Sequence, residues 1–349
     1  MAEKSERPKE ESRKLQLTGG STYTISLPKR WIVQNQLKKN SELHIRLEDD
    51  GSLTILPLNL ATQEKAQEAF IHASLGENPE PLIRKTIAAY LVGYNTVHIK
   101  ARDKNQLTTR QRSALKNSAR NLLVGTEIVT DTATELTLQV LLDYSELSVQ
   151  STLRRMSIIT SSMHKDAVSA LRKLDHQMAR AIIDTDSEVD RFNLYIIRLL
   201  KQAISNPMII KEIGLRNARD CLGYRLITKS VERTADHATS IAENILLLKQ
   251  KPNEQVLERI EKMSSLAISA FENSVDALFK QDFNLAESTI EKTTEIARLE
   301  KEAVLSSQKV GIEEIANLRL LIESVRRTAE YASDISEIVL NLNIDSILG

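Results

Sequence analysis

The chain has 349 residues, 47 lysines and arginines against 47 aspartates and glutamates, and therefore no net charge. That balance removes any global pull toward nucleic acid or anionic lipid and leaves only local patches to consider. A single cysteine, Cys221, excludes a disulfide framework and any Cys-cluster zinc site, and points to a reducing, cytoplasmic setting. No apolar run approaches the ~18 residues of a membrane span, so no membrane insertion is expected. The charged start MAEKSERPKEESR has no apolar core of a secretory signal.

Residues 1–12 read as a disordered tail. Over 13–58 the apolar residues alternate: Leu15 and Leu17, then Tyr23, Ile25 and Leu27, then Leu43, Ile45 and Leu47, then Leu53 and Ile55. Period two predicts short strands, with turns at Gly19-Gly20 and Asp49-Asp50-Gly51. Seven basic residues against four acids give residues 13–57 a local positive surplus.

Residues 59–148 read as a small α/β unit. Helices are predicted over Pro81–Leu91 and Leu107–Leu123, and strands over Thr96–Lys100, Thr126–Asp131 and Glu135–Leu141. Arg112, Lys116 and Arg120 share one helical face, which reads as a solvated face.

After residue 148 glycine and proline become scarce, which predicts long helices. The segment Arg225–Leu247 aligns on Arg319–Asn341 at a constant offset of 94, with 11 of 23 positions identical. The chain therefore contains a duplication, 149–250 and 251–349. Each copy reads as three helices: Val149–Ile182, Asp186–Ile204 and Leu215–Leu248, then Val256–Lys280, Leu285–Gln308 and Ile312–Leu342. Asp184-Thr185, Asn206-Pro207, Lys251-Pro252-Asn253, Gln281-Asp282 and Gly311 are the expected stops or caps. Residues 227, 231, 234, 238, 241 and 245, and their counterparts 321, 325, 328, 332, 335 and 339, form one buried stripe in each third helix.

Glu232, Asp236 and Glu243 share the face opposite that stripe, predicted to be exposed. Two carboxylates one turn apart repel by roughly 0.2–0.5 kcal/mol unless a cation joins them. A solvated face compensated by Lys229 and Arg233 is the alternative. In the second copy Arg326 stands where Glu232 stands in the first, and acids recur at Glu330 and Asp334, with Glu323 and Glu337 on the same face. Asp184, Asp186, Glu188 and Asp190 crowd the predicted start of the second helix, where carboxylates suit the helix dipole.

VERTADHATSIAEN (231–244) resembles the third-helix motif of PhoU proteins, and DSEVDRF (186–192) resembles their second-helix motif. That resemblance implies phosphate homeostasis, action through phosphate transporters or their signalling partners, and metal carried by Glu-x-x-x-Asp. It makes Glu232 and Asp236 the first ligand candidates, with Asp190, Glu330 and Asp334 behind them. The ion would be divalent or ferric, and all-oxygen donors favour iron, manganese, magnesium or calcium.

RKLQLTGGSTYTISLPKRW (13–31) with KKNSELHIRLEDDGSLTILP (38–57) resembles an AbrB/SpoVT module. The resemblance implies a swapped-hairpin barrel formed only as a homodimer, with DNA contacts at Arg13, Lys14, Lys29 and Arg30. Ile32-Val33 departs from the paired arginines of some relatives. The module order resembles archaeal PhoU-type phosphate uptake regulators. The expected fold is thus multidomain: a small β-barrel head, an α/β unit and tandem three-helix bundles. The expected function is a DNA-binding regulator; an adaptor acting only on a transporter or signalling partner is the alternative.

An enzyme is not expected. None of the six histidines follows a glutamate by three residues, as a ferritin-like di-iron site requires, and no P-loop, Gly-x-Ser-x-Gly or His-Glu-x-x-His occurs. His237 reads as a surface residue.

Overall fold

The computed structural model describes residues 11–47, 51–58, 68–102, 105–141, 147–206, 209–306 and 312–348. The expected tail up to residue 10 and the stop at Gly311 lie outside them. The chain divides into two compact units, Met1–Lys65 and Ala66–Gly349.

In the first unit β1 (Gln16–Thr18) and β2 (Thr22–Thr24) form an antiparallel hairpin, followed by α1 (Lys29–Gln34). A second antiparallel hairpin joins β3 (Leu43–Leu47) to β4 (Leu53–Pro57). Gly19, Gly20 and Gly51 turn the chain at φ of 66°, 81° and 81°, where a side chain would strain the backbone. The short helix was not foreseen. Among the described residues the hairpins remain separate two-stranded sheets and close no barrel. Leu15, Leu17, Tyr23, Ile25, Ile45, Leu47 and Leu53 are all exposed. A strand unit this small has too little interior to bury them alone.

The second unit begins with a four-stranded sheet in the order β5-β6-β8-β7. β5 (Glu68–Ala73) runs parallel to β6 (Thr96–Ala101), and β8 (Glu135–Val140) pairs antiparallel with both β6 and β7 (Thr126–Asp131). β5 is a strand the periodicity missed. Its sequence EAFIHA has only three residues on each face, too few for a clear alternation. α2 (Pro79–Val92) and α3 (Thr109–Leu122) pack Leu82, Tyr90, Leu115 and Ala119 against Val97, Ile99, Leu136 and Leu138. Thr108 opens α3 with a reciprocal capping box to Gln111. Arg112 and Lys116 do not merely face solvent: both bind the Asp131 carboxylate, at 2.5 and 2.9 Å.

The helical part comprises α4 (Val149–Lys173), α5 (His176–Ser205), α6 (Asp220–Leu247), α7 (Glu254–Lys280), α8 (Phe283–Thr293), α9 (Ile296–Ser306), α10 (Ile312–Asn343) and α11 (Asp345–Leu348). All twelve stripe positions of α6 and α10 have zero exposure, and the two bundles share one continuous core. Each large aliphatic side chain buried there stabilises the fold by about 1.5–3 kcal/mol.

The first break falls ten residues before the expected one. Leu174 adopts a left-handed conformation (φ 52°), and Asp175 caps α5 by accepting from Gln177 and Met178. The second copy repeats the device with Gln281 (φ 53°) and the cap Asp282. Asp184-Thr185 lies inside α5 instead, where Thr185 Oγ1 bonds back to Ala181 O at 2.8 Å. Without glycine or proline, the propensity cost of Asp-Thr is too small to end a packed helix. In the second copy the middle helix is broken into α8 and α9 near Thr294, where a single helix was expected.

Two buried polar side chains tie this unit together. Arg198 of α5 has no exposure; its guanidinium donates to the carbonyls of Tyr90, Gly93 and Tyr94 and to Asn95 Oδ1. It also lies 4.8 Å from the Tyr90 ring centroid, so it joins the end of α2 to the bundle. His164 of α4, equally buried, meets Ser264 Oγ of α7 at 2.8 Å and Thr328 Oγ1 of α10 at 3.3 Å. Burial, and to a smaller extent the Lys165 charge, push its pKa down to about 4.

Candidate metal centre and nucleic-acid interface

The corrected start of α5 changes what its acids mean. Asp186 and Asp190 lie in the middle of a 30-residue helix, with no acid in its first turn. The helix dipole therefore does not account for them. They face the acids of α6 instead. Asp186 feels the charges of Glu232 and Glu243, and Asp190 those of Asp186 and Glu232.

Glu232 is not exposed as the spacing predicted; it is 8% exposed. The reason is that α6 is flanked by α4, α5 and α10, so the side opposite its stripe is partly covered by α5. The Lys229 ammonium holds Glu232 through both carboxylate oxygens, as the compensating reading expected. Arg233 does not help there; it lies 5.9 Å from the Tyr331 ring centroid.

Asp236 and Glu243 are exposed, as the spacing predicted. Burial first, then the charges of Glu232 and Asp186, raise the pKa of Asp236 to about 7. Asp190, half-buried, is raised to about 6 by burial, Asp186 and Glu232. Solvent reaching Asp236 screens part of this repulsion. Acids that resist ionising together form a set of oxygen donors suited to a hard cation, which would release their protons on binding. Among the described residues, no three such side chains already converge on one point at ligand distance.

The second copy solves the same problem internally. Arg326, in the place of Glu232, pairs with Glu300 at 3.1 Å, with Glu323 at 3.7 Å and with Glu330. Arg327 adds Glu330 at 2.9 Å. Burial and the charges of Glu337 and Glu330 raise the pKa of Asp334. Glu300, Arg326, Arg327, Glu330 and Asp334 border a cleft of about 490 Å³. Glu330 is thus already neutralised by two guanidiniums, and it and Asp334 do not stand as a free donor pair.

His237 is half-buried rather than a plain surface residue. It meets Ser324 Oγ at 3.3 Å, and its ring lies 5.7 Å from that of Tyr331. Asp186 is the functional candidate the residue-level reading set aside. Its four-residue spacing from Asp190 was the available signal.

On the first unit, Lys29 and Arg30 open α1, next to β2, and Arg13 and Lys14 precede β1. Arg13 pairs locally with Glu11. All four are exposed.

Residues 153–245 and 260–339 match the family described as PhoU domain. Residues 16–62 match the family described as antidote-toxin recognition MazE, bacterial antitoxin. The chain is similar to the phosphate-specific transport system accessory protein PhoU homolog of Clostridium acetobutylicum, 23% identical over 210 residues, covering 57% of this chain and 92% of that protein. The corresponding homolog of Aquifex aeolicus is 27% identical over 154 residues, covering 44% and 67%. In fold, the crystal structure of PhoU from Pseudomonas aeruginosa covers 56% of this chain and 96% of its own, with a TM-score of 0.50 at 19% identity.

Proposed function

We propose, from the premise that residues 153–245 and 260–339 belong to the PhoU domain family, that this chain regulates phosphate uptake. In this reading the first unit is a homodimeric DNA-binding head, and the first PhoU domain carries a divalent or ferric ion. The observation that supports it is the nearness of Asp186 and Asp190 to Glu232 and Asp236: burial first, and then the charges of Glu232 and Asp186, raise the pKa of Asp236 to about 7. Such a grouping costs stability without a cation and gains it with one.

The ion would be held by Glu232, Asp236 and Asp190, with Asp186 beside them. When bound, the ion would supply positive charge between the acids of α5 and those of α6. Lys229, now on Glu232, would yield its place to the stronger cation. The second domain, with Arg326 and Arg327 already on its acids, needs no metal.

The exposed apolar residues of the head support a homodimer, and two copies of Arg13, Lys14, Lys29 and Arg30 make up to eight phosphate contacts. Phosphate transporter components or a signalling protein are the partners that the PhoU domains suggest. No helix among the described residues is long and apolar enough to cross a membrane. The test is a gel shift of the full chain on fragments of phosphate-responsive promoters at two salt concentrations. Salt-sensitive retention supports the DNA-binding head. No retention at either salt leaves an adaptor that acts on proteins alone.

A further inference from the structure

The four-stranded sheet has two edges, and they are built differently. The β7 edge carries an irregularity between Ile128 and Thr130, and its Asp131 is fixed by Arg112 and Lys116. A bulge with charged residues is how sheet edges are made unfit for further pairing. The β5 edge has no such irregularity, and its one charged residue, Glu68, lies 3.8 Å from His98 Nε2 of its own sheet. Glu68–Ala73 contains no proline, lysine or irregularity, and among the described elements it pairs only with β6.

Which main-chain groups point outward follows from one hydrogen bond. Arg102 N donates to Ala73 O at 2.9 Å, so Ala73 directs its main-chain groups toward β6. Alternation does the same for Ile71 and Ala69. Glu68, Phe70 and His72 therefore aim their N–H and C=O groups away from the sheet. Their side chains lie together on the face not covered by α2 and α3, and all three residues are exposed, Phe70 by 55%. The Phe70 ring is already held in place, stacked on His98 at 4.8 Å and 9°.

We propose that β5 is a docking edge for the β5 of a second copy of this chain, antiparallel and centred on Phe70. The segment is complementary to itself in that register. Glu68 falls opposite the partner's His72, Phe70 opposite the partner's Phe70, and His72 opposite the partner's Glu68. All three pairs are the hydrogen-bonded kind, because it is these residues whose main-chain groups face outward. Acid–histidine and aromatic–aromatic pairs are favourable across an antiparallel ladder. The contact is isologous, so it closes on two copies and leaves no further β5 edge exposed. It does not depend on the function proposed above.

The test uses the full chain with Cys221→Ala as background and cysteines introduced singly, followed by mild oxidation and a non-reducing gel. Paired Cα atoms about 5.5 Å apart suit a disulfide. Phe70→Cys is expected to give covalent dimer in most of the material, and Val129→Cys on the opposite edge strand to give almost none. Glu68→Cys and His72→Cys should each fail alone but cross-link when co-expressed. No dimer from Phe70→Cys, or equal dimer from Val129→Cys, overturns the proposal. Amide exchange on the unsubstituted chain guards against misfolded variants. Slow exchange at Phe70 and His72 N–H supports the pairing, and exchange as fast as at an open strand edge refutes it.

Discussion

His237 and Tyr331 hold the same position in the two repeats and lie against each other, ring centroids 5.7 Å apart and planes 31° apart. Contact between equivalent residues means that an approximate two-fold relation between the PhoU domains passes between α6 and α10. Away from that point the repeats diverge in charge. One turn before His237 the first repeat has Glu232 and Arg233, whereas the second has Arg326 and Arg327 before Tyr331. Both copies share the packing stripe, whereas the charge of the opposite surface differs between them.

Arg198 should matter to stability more than any surface ion pair. Arg198→Met would leave the carbonyls of Tyr90, Gly93 and Tyr94 buried without their donor. We expect a loss of about 3–5 kcal/mol. Arg198→Lys should recover little, because a single ammonium cannot reach the same acceptors. Chemical denaturation of the full chain followed by circular dichroism measures both. A loss below ~1 kcal/mol for Arg198→Met would contradict the joining role.

His164 sets a pH dependence with a definite sign. Its folded pKa, about 4, lies below the ordinary histidine value of about 6.5. Such a group contributes stability that is fully present above pH 6.5 and is lost as pH falls toward 4. His164→Gln, which keeps a hydrogen-bonding side chain but cannot titrate, should flatten that part of the profile. Thermal melts between pH 4 and 7 check it; an unchanged slope would mean other groups drive acid unfolding.

How far could the chain be read before its structure? The duplication and the stripe were fully legible, because helical periodicity is repeated over more than twenty residues and twelve positions are buried to completion. The α5 break was not. It depends on Leu174 in a left-handed conformation, a choice made by tertiary packing that no composition signal announces. The same error hid Asp186, since a misplaced helix start supplied a false explanation for its charge. Glu232 was misjudged for a related reason. A helical wheel separates apolar from polar faces but does not show that α5 will cover part of the polar one.

DNA binding should follow the basic residues near α1. Lys29→Ala with Arg30→Ala should weaken promoter binding and reduce the salt slope by about two for each protomer that touches phosphate. Binding isotherms at three salt concentrations report this. Equal affinity and slope for parent and double variant would assign the contacts elsewhere.

Metal content and its pH dependence test most directly the proposal that the first PhoU domain holds an ion. Purified full chain, stripped and then equilibrated with iron(II), manganese(II) or magnesium(II), should bind an ion that Glu232→Ala/Asp236→Ala nearly abolishes. Arg326→Ala should leave the bound amount at the first domain unchanged. Binding should be tighter at pH 7.5 than at pH 5.5, because Asp236 and Asp190 titrate near 7 and 6 and must lose their protons to ligate. Helical circular dichroism should survive in the double variant, since neither residue belongs to the α6 stripe. Undiminished metal in a folded Glu232→Ala/Asp236→Ala chain would contradict the site.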